Sequence, residues 1–476
     1  MSIDPAPTPL RRLARRRPLV VAPTTTLREL TDALSQGRED AAVVADVDSR
    51  LPLGIITLRQ LLHVIGFEGA GLDEPVAMRM IGAPLTLAAD APLHRAKVLM
   101  AKRGVHHLLL VEPDGRLAGL IGQADLLGIG TDDTEALISE IAAARDLDAM
   151  TLAADRVRRR GAQLFRSGLS VEALCQWMSG LNDLIGMRIC ELIEDEHELP
   201  AIPWCWLVFG SEGRLEQTFA TDQDNGLLFV PPTPDATDDC RMAFLPFAQA
   251  VNAALHHCGF PRCPGRIMAG NPDWCLSLEE WRQRFGDWLR IPEPEALLHG
   301  TIFFDFRPLY GNAEPADQLR AWLAETAPDH ARFFRALAEQ TLAVAPPIGL
   351  GGRLRAQRDP DYPGRIDLKQ RGARLFTDPA RLWGLQLGSW ATNTAERLRA
   401  AAAAHQQPGA DTAAEVEAFH LIQRFRIGQQ LATNGDHDIA NLIDPRELSP
   451  LHRLMVKEAL RQAKTLQLRL RQQFQL

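Results

Sequence analysis

The chain has 476 residues, enough for about three domains that each bury their own core. With 46% hydrophobic and 24% charged residues, and only 35 Gly and 32 Pro, it is a folded globular protein rather than a fibrous or disordered one. The 52 Lys and Arg against 60 Asp and Glu leave a formal charge of −8, which argues against a protein whose main task is to coat a polyanion and against nucleic acid as the partner, though a local basic patch stays open.

In chain order, residues 1–17 read as a basic N-terminal tail, with Arg11, Arg12, Arg15, Arg16 and Arg17 on a solvated segment. Pro18 and Pro23 follow before any signal-type apolar core develops, and no apolar run reaches the roughly 18 residues of a membrane span, so the expected location is cytoplasmic, with no membrane partner. Seven cysteines lack paired Cys-x-x-Cys spacing, and the group His256, His257, Cys258 and Cys263 fits no common zinc pattern, so most of these thiols belong to the core.

Residues 18–130 contain a repeat. The segment Leu53-Gly54-Ile55-Ile56-Thr57 to Leu62 aligns with Ala118-Gly119-Leu120-Ile121-Gly122 to Leu127. Each copy is preceded by an amphipathic helix, marked by Leu27, Leu30 and Leu34 or by Leu93, Ala96 and Met100, and by a short apolar strand, Ala41 to Ala45 or His107 to Val111. Asp114-Gly115 supplies a hairpin turn in the second copy.

This tandem order resembles a pair of cystathionine-β-synthase-type (CBS) domains, which implies adenine-nucleotide binding between the copies and a homodimer formed through them. In that family a Ser or Thr, with an Asp three residues on, holds phosphate and ribose. Here the first copy has Thr57 with Gln60, and the second has Gly122 with Asp125. Thr57 and Asp125 are therefore the candidate nucleotide contacts, and a purely structural or dimerising role for the pair stays open beside them.

Residues 131–199 carry helical periodicity and read as a helical connector, ended by Pro200 and Pro203. An α/β region, residues 200–312, follows. The strand Trp204 to Phe209 runs into Gly210-Ser211-Glu212-Gly213-Arg214, and a glycine and serine directly after a buried strand let backbone amides approach a phosphate. Asp222 and Asp224 then precede the strand Gly226 to Val230, and carboxylates two apart face the same side and can share divalent cations. Paired acids beside a phosphate turn suit phosphoryl or nucleotidyl transfer. The stretch Thr301 to Arg307 reads as a strand whose Asp305 is either a third metal ligand or the partner of an arginine. Residues 313–476 return to helical periodicity.

The string GSEGRLEQTFATDQDNGLLF, with CPGRIMAGNP, SLEEWRQRFGDWL and IFFDFR after it, resembles the nucleotidyltransferases similar to the N-terminal part of protein-PII uridylyltransferase. RIDLKQRGARLFTDPARLWGL and LSPLHRLMVKEAL resemble the helical substrate-binding domain of that group. The expected fold is α/β and multidomain: a tandem CBS pair, a polymerase-β-like nucleotidyltransferase domain and a helical C-terminal domain.

The resemblance implies that Gly210 and Ser211 hold the phosphates of an NTP and that Asp222, Asp224 and Asp305 are catalytic acids holding Mg²⁺ or Mn²⁺. Asp305 would also help deprotonate the acceptor. Arg214 and Gln217 would contact phosphate or ribose, with an Arg214 ion pair to Glu212 or Glu216 as the alternative, and Lys369 would reach nucleotide or acceptor from the C-terminal domain. The expected activity is transfer of an NMP to a protein or small-molecule acceptor, with a PII-like protein among the candidates, under control of the CBS pair. The alternative is a signal-transduction protein that senses adenine nucleotide without catalysis.

Overall fold

A computed structural model describes the chain except residues 1–9, 13, 15–17, 38–39, 47–48, 67, 69, 123–131, 350–352, 357–361 and 434–437. Arg15, Arg16, Arg17 and Asp125 lie outside the described residues. The chain divides into two units, residues 1–140 and 141–476.

In the first unit, β1 (Leu19–Val21), α1 (Leu27–Gly37), β2 (Ala41–Ala45), β3 (Pro52–Thr57), α2 (Leu58–Gly66) and β4 (Ile81–Gly82) form one copy of the repeat, with sheet order β1-β2-β3-β4. The second copy has β5 (Thr86–Ala88), α3 (Leu93–Arg103), β6 (His107–Val111) and β7 (Leu117–Gly122), with sheet order β5-β6-β7. In each, a parallel strand pair is extended by an antiparallel one. The apolar stripes fall where the 3.6-residue period puts them: Leu27, Leu30 and Leu34 are buried in one copy, and Ala96 and Met100 in the other. Ala41, Val43 and Ala45 of β2 cluster with Leu109 of β6, joining the copies.

Part of the stretch expected as a solvated tail is packed. Leu10 is fully buried in the core of the second copy, its N–H donates to the Ala91 carbonyl at 3.0 Å, and the Arg11 N–H donates to Ala89 at 2.7 Å.

The second unit starts within α4 (Asp132–Ala143) and continues through α5 (Leu147–Arg166) and α6 (Val171–Glu194), capped by Asp146 and Ser170. These last two helices do not merely connect. α6 is buried along most of its length, with Ser179, Asn182 and Asp183 turned into the unit, and Asp183 pairs with Arg307 at 2.6 Å.

The sheet of this unit joins β8 (Trp204–Val208), β9 (Asn225–Phe229), β10 (Cys275–Ser277) and β11 (Arg307–Gly311) in the order β10-β9-β8-β11. β8 runs antiparallel to both β9 and β11, and β9 parallel to β10. Between the strands lie the one-turn helix α7 (Gly210–Gly213), α8 (Thr237–His257), α9 (Leu278–Arg290) and α10 (Pro294–Phe303). The C-terminal helices are α11 (Glu314–Thr326), α12 (Ala331–Ala343), α13 (Arg374–Gln386), α14 (Thr394–Ala404), α15 (Gly409–Ala432) and α16 (Pro450–Phe474). The two-stranded pair β12 (Ile366–Asp367) and β13 (Leu442–Ile443) lies among them.

One apolar core runs through both regions, from Phe209, Trp281 and Phe303 to Phe376, Phe419 and Leu470. The stretch expected as a strand around Asp305 is instead the end of α10, and Asp305 sits in the turn before β11. Phe303 and Phe304 are both fully buried, so the segment is apolar on every side and its period does not separate helix from strand. Pro294 at the first helical position settles it locally.

Candidate nucleotidyl-transfer site

β8 delivers the chain through Phe209 into the turn of α7. Gly210 has φ 56°, and a Cβ there would stand 3.1 Å from Asp224 Oδ2, so the left-handed conformation and the close approach both call for glycine. At Gly213 a Cβ would fall 1.7 Å from the Asp305 carbonyl oxygen, a backbone atom that cannot swing aside. Gly213→Ala is therefore expected to cost about 2–3 kcal/mol, at the upper end of overpacking effects, in chemical denaturation. Gly286→Ala, whose Cβ meets only the Trp322 ring at 3.8 Å, is the control and should be neutral or stabilising.

The acid pair is aimed by its neighbours. Along Asp222-Gln223-Asp224-Asn225 alternate side chains face opposite ways, and the inward pair is anchored by buried amides. The Gln223 amide donates to the carbonyls of Asn252 (3.1 Å) and Phe260 (2.8 Å), while Asn225 Oδ1 accepts from Asn252 (2.9 Å) and the Ala269 N–H (2.9 Å). Asp222 and Asp224 are left on the face that lines a cavity of about 460 Å³ together with Gly210 and Ser211. Helical-domain residues, including Lys369, Arg374 and Arg426, line it as well.

Burial pushes the Asp224 carboxyl up to about 6, and the charge of Asp222 adds to this, while the Cys263 thiol, which donates to it, and the positive charges of Lys369 and Arg214 pull it back. The Cys263 thiol itself is pushed up to about 11, by burial and then by Asp224. The sequence reads most of the thiols as core residues; Cys263 is only half-buried, and its position beside an acid of the pair has no local signal.

The donor set suits a hard divalent cation. Among the described residues no group of three or more His, Cys, Asp or Glu is arranged to hold a metal. Mg²⁺ commonly binds through one or two carboxylates and takes its remaining ligands from substrate phosphates and water, so two aspartates beside a phosphate turn fit it.

Asp305 does not join them. It is fully buried, does not line the cavity, and is held by Arg214 Nη1 at 2.8 Å, Arg381 Nε at 3.0 Å and Nη2 at 2.9 Å, and Arg397. Burial alone would raise its carboxyl, but these guanidiniums hold it well below the usual carboxylate range. The arginine-partner alternative is thus the one the structure shows.

Arg214 lines the cavity with its guanidinium divided between Asp305 and Glu216, the latter at 2.9 Å. Gln217 is buried away from the cavity, its Oε1 accepting from Asn182 at 3.1 Å and its N–H donating to Ser179 at 3.2 Å; a turn residue on the α6 side cannot reach a ligand. In the first unit Thr57 Oγ1 accepts the Gln60 N–H at 3.2 Å, the geometry of a helix cap. The Gln60 side chain donates to the Arg79 carbonyl at 2.7 Å.

Comparison with known proteins matches residues 10–66 and 76–131 to the CBS domain. Residues 155–295 match the family described as "Putative nucleotidyltransferase DUF294", and residues 331–474 that described as "Putative nucleotidyltransferase substrate binding domain". An uncharacterized protein of Methanopyrus kandleri is 29% identical over 119 residues, which are 25% of this chain and 60% of that protein. An uncharacterized 17.7 kDa protein of Acidianus ambivalens is 26% identical over 119 residues, 25% of this chain and 71% of its own. A solved CBS domain protein of Pyrobaculum aerophilum, complexed with AMP, is 26% identical and covers 29% of this chain and 99% of its own, with a TM-score of 0.25. Among the described residues no helix is long and apolar enough to cross a membrane.

Proposed function

From a chain that carries a CBS pair, a nucleotidyltransferase domain of the DUF294 family and the substrate-binding domain of that family, we propose a cation-dependent enzyme that moves an NMP from an NTP to a hydroxyl on a protein or small molecule and releases pyrophosphate. The observation that carries this reading is that the Gly210-Ser211 turn and the Asp222/Asp224 pair line one cavity, with a basic helical wall.

In this reading Gly210 and Ser211 orient the phosphates, and Asp222 and Asp224 hold the cation. A bound Mg²⁺ neutralises phosphate charge and stabilises the leaving oxygen. The resemblance to a uridylyltransferase makes a PII-like regulatory protein the first acceptor to assay. The CBS pair takes an adenine nucleotide as regulator; Thr57 Oγ1 accepts the Gln60 N–H and still has its own O–H to donate to a ligand. The competing reading is a nucleotide sensor that never turns over.

All nine tryptophans fall in residues 141–476, so tryptophan fluorescence follows the unfolding of the unit that holds the cavity. With Mg²⁺ present, one of ATP, UTP, GTP or CTP at 100 times its Kd should stabilise that unit by about 2.7 kcal/mol. NTP and Mg²⁺ should each have little effect alone, because a two-carboxylate set needs the phosphates as further ligands. Asp222→Asn/Asp224→Asn should abolish the effect. Stabilisation that ignores both Mg²⁺ and this double variant would sink the proposal, and NTP binding with no labelled acceptor would favour the sensor.

A further inference from the structure

Five cationic side chains line the cavity: Arg214, Lys369, Arg374, Arg381 and Arg426. The four arginines are already engaged. Arg214 and Arg381 share Asp305, Arg374 meets Asp378 at 2.7 Å and Gln370 at 3.2 Å, and Arg426 meets Asn441 at 3.1 Å and Gln423. Lys369 differs. Among the described residues its ammonium makes no hydrogen bond or ion pair, and it lines the same cavity as Asp222 and Asp224.

The backbone that presents Lys369 is held firmly. Asp367 Oδ1 accepts the N–H groups of both Lys369 (2.7 Å) and Gln370 (3.0 Å), and β12, which ends at Asp367, is paired with β13. From Lys369 to Ala373 the chain makes a turn kinked at Arg371, with φ −114° and ψ 17°, that leads into α13. The side chain of Lys369 is exposed at the cavity, so its ammonium is free to meet a ligand.

We propose that Lys369 binds the outer phosphates of the nucleotide, as the countercharge for the pyrophosphate that leaves. The proposal rests on the transfer reading above and adds the residue that recognises the leaving group. The acids with their cation would hold one end of a polyphosphate, and a compact ammonium from the helical domain in the same cavity suits the other. A lysine makes a point contact that follows a moving phosphate, where a guanidinium fork would fix one geometry.

The probe is inorganic tripolyphosphate with Mg²⁺, which has no base for an adenine site to read, titrated into the full chain. Lys369→Gln should weaken its binding roughly 10- to 100-fold, the loss of one charge-assisted contact, and leave the ligand-free unfolding midpoint unchanged. Lys369→Arg should recover much of that loss. If Lys369→Gln binds within twofold of wild type while Asp222→Asn/Asp224→Asn does not bind, the assignment of Lys369 fails and the transfer reading stands. If wild type itself fails to bind Mg²⁺ and tripolyphosphate, both fail. A Lys369→Gln chain with a lowered ligand-free midpoint assigns the ammonium to the fold and overturns the proposal.

Discussion

Asp305→Ala is expected to destabilise the second unit by about 3–5 kcal/mol, the usual consequence of stripping one partner from a buried ion cluster. The carboxylate is 0% exposed and faces Arg381 and Arg397, which are 3% and 1% exposed, so neither can turn to water when it is gone. Arg214 would keep Glu216 and suffer less. Asp305→Asn should rescue only part of the loss, since the amide keeps one acceptor oxygen but gives up the charge and puts an NH₂ where guanidiniums that only donate need a second acceptor.

The pH profile gives a second readout. A carboxyl whose folded value lies below its ordinary 3.8 contributes stability that is complete above that value and is lost as pH falls toward the folded one. Wild type should therefore lose stability below about pH 4 along a limb that is shallower in Asp305→Ala. Urea titration by tryptophan fluorescence at several pH values tests both, and a loss under about 1 kcal/mol would contradict the network as described.

Asp224→Asn carries the opposite pair of expectations. Its carboxyl is raised from 3.8 to about 6 in the folded chain, so the ionised form opposes folding: the penalty is absent below about pH 4 and complete above about pH 6. Without metal, the asparagine variant should be more stable than wild type at pH 7.5 by about 1–3 kcal/mol, from two shifted units at about 1.4 each. Under the proposed function it should also transfer nucleotide about a thousandfold more slowly or worse, because the cation is worth several kcal/mol to the transition state and each 1.4 is tenfold. Gain of stability with loss of turnover is the mark of a site kept under electrostatic strain for its ligand. An Asp224→Asn chain as active as wild type would remove Asp224 from the site.

Much of this was legible because it is local. The repeat, the strands Ala41–Ala45 and His107–Val111, and the turn and acid pair around β8 and β9 all follow from periods of two or 3.6 and from glycine placement. What stayed hidden is what the fold brings from far along the chain. Arg214, Arg381 and Arg397 converge on Asp305 from 91, 76 and 92 residues away, which no spacing rule reports. Gln217, read as a ligand contact for lying in the phosphate turn, faces α6 instead, and only the packing of that helix decides it.

The shared carboxylate also bears on inheritance. Sequence comparison cuts this unit into two segments, residues 155–295 and 331–474, as though either could be exchanged for another module. Asp305 lies in neither, yet it draws Arg214 from the first and Arg381 and Arg397 from the second, while Glu216 Oε1 of the first accepts the Thr394 N–H of the second at 2.6 Å. A gene that lost or traded one segment would strand unmatched charge in the interior of the other. An exchange that keeps this interior neutral has to carry the carboxylate and its arginines together.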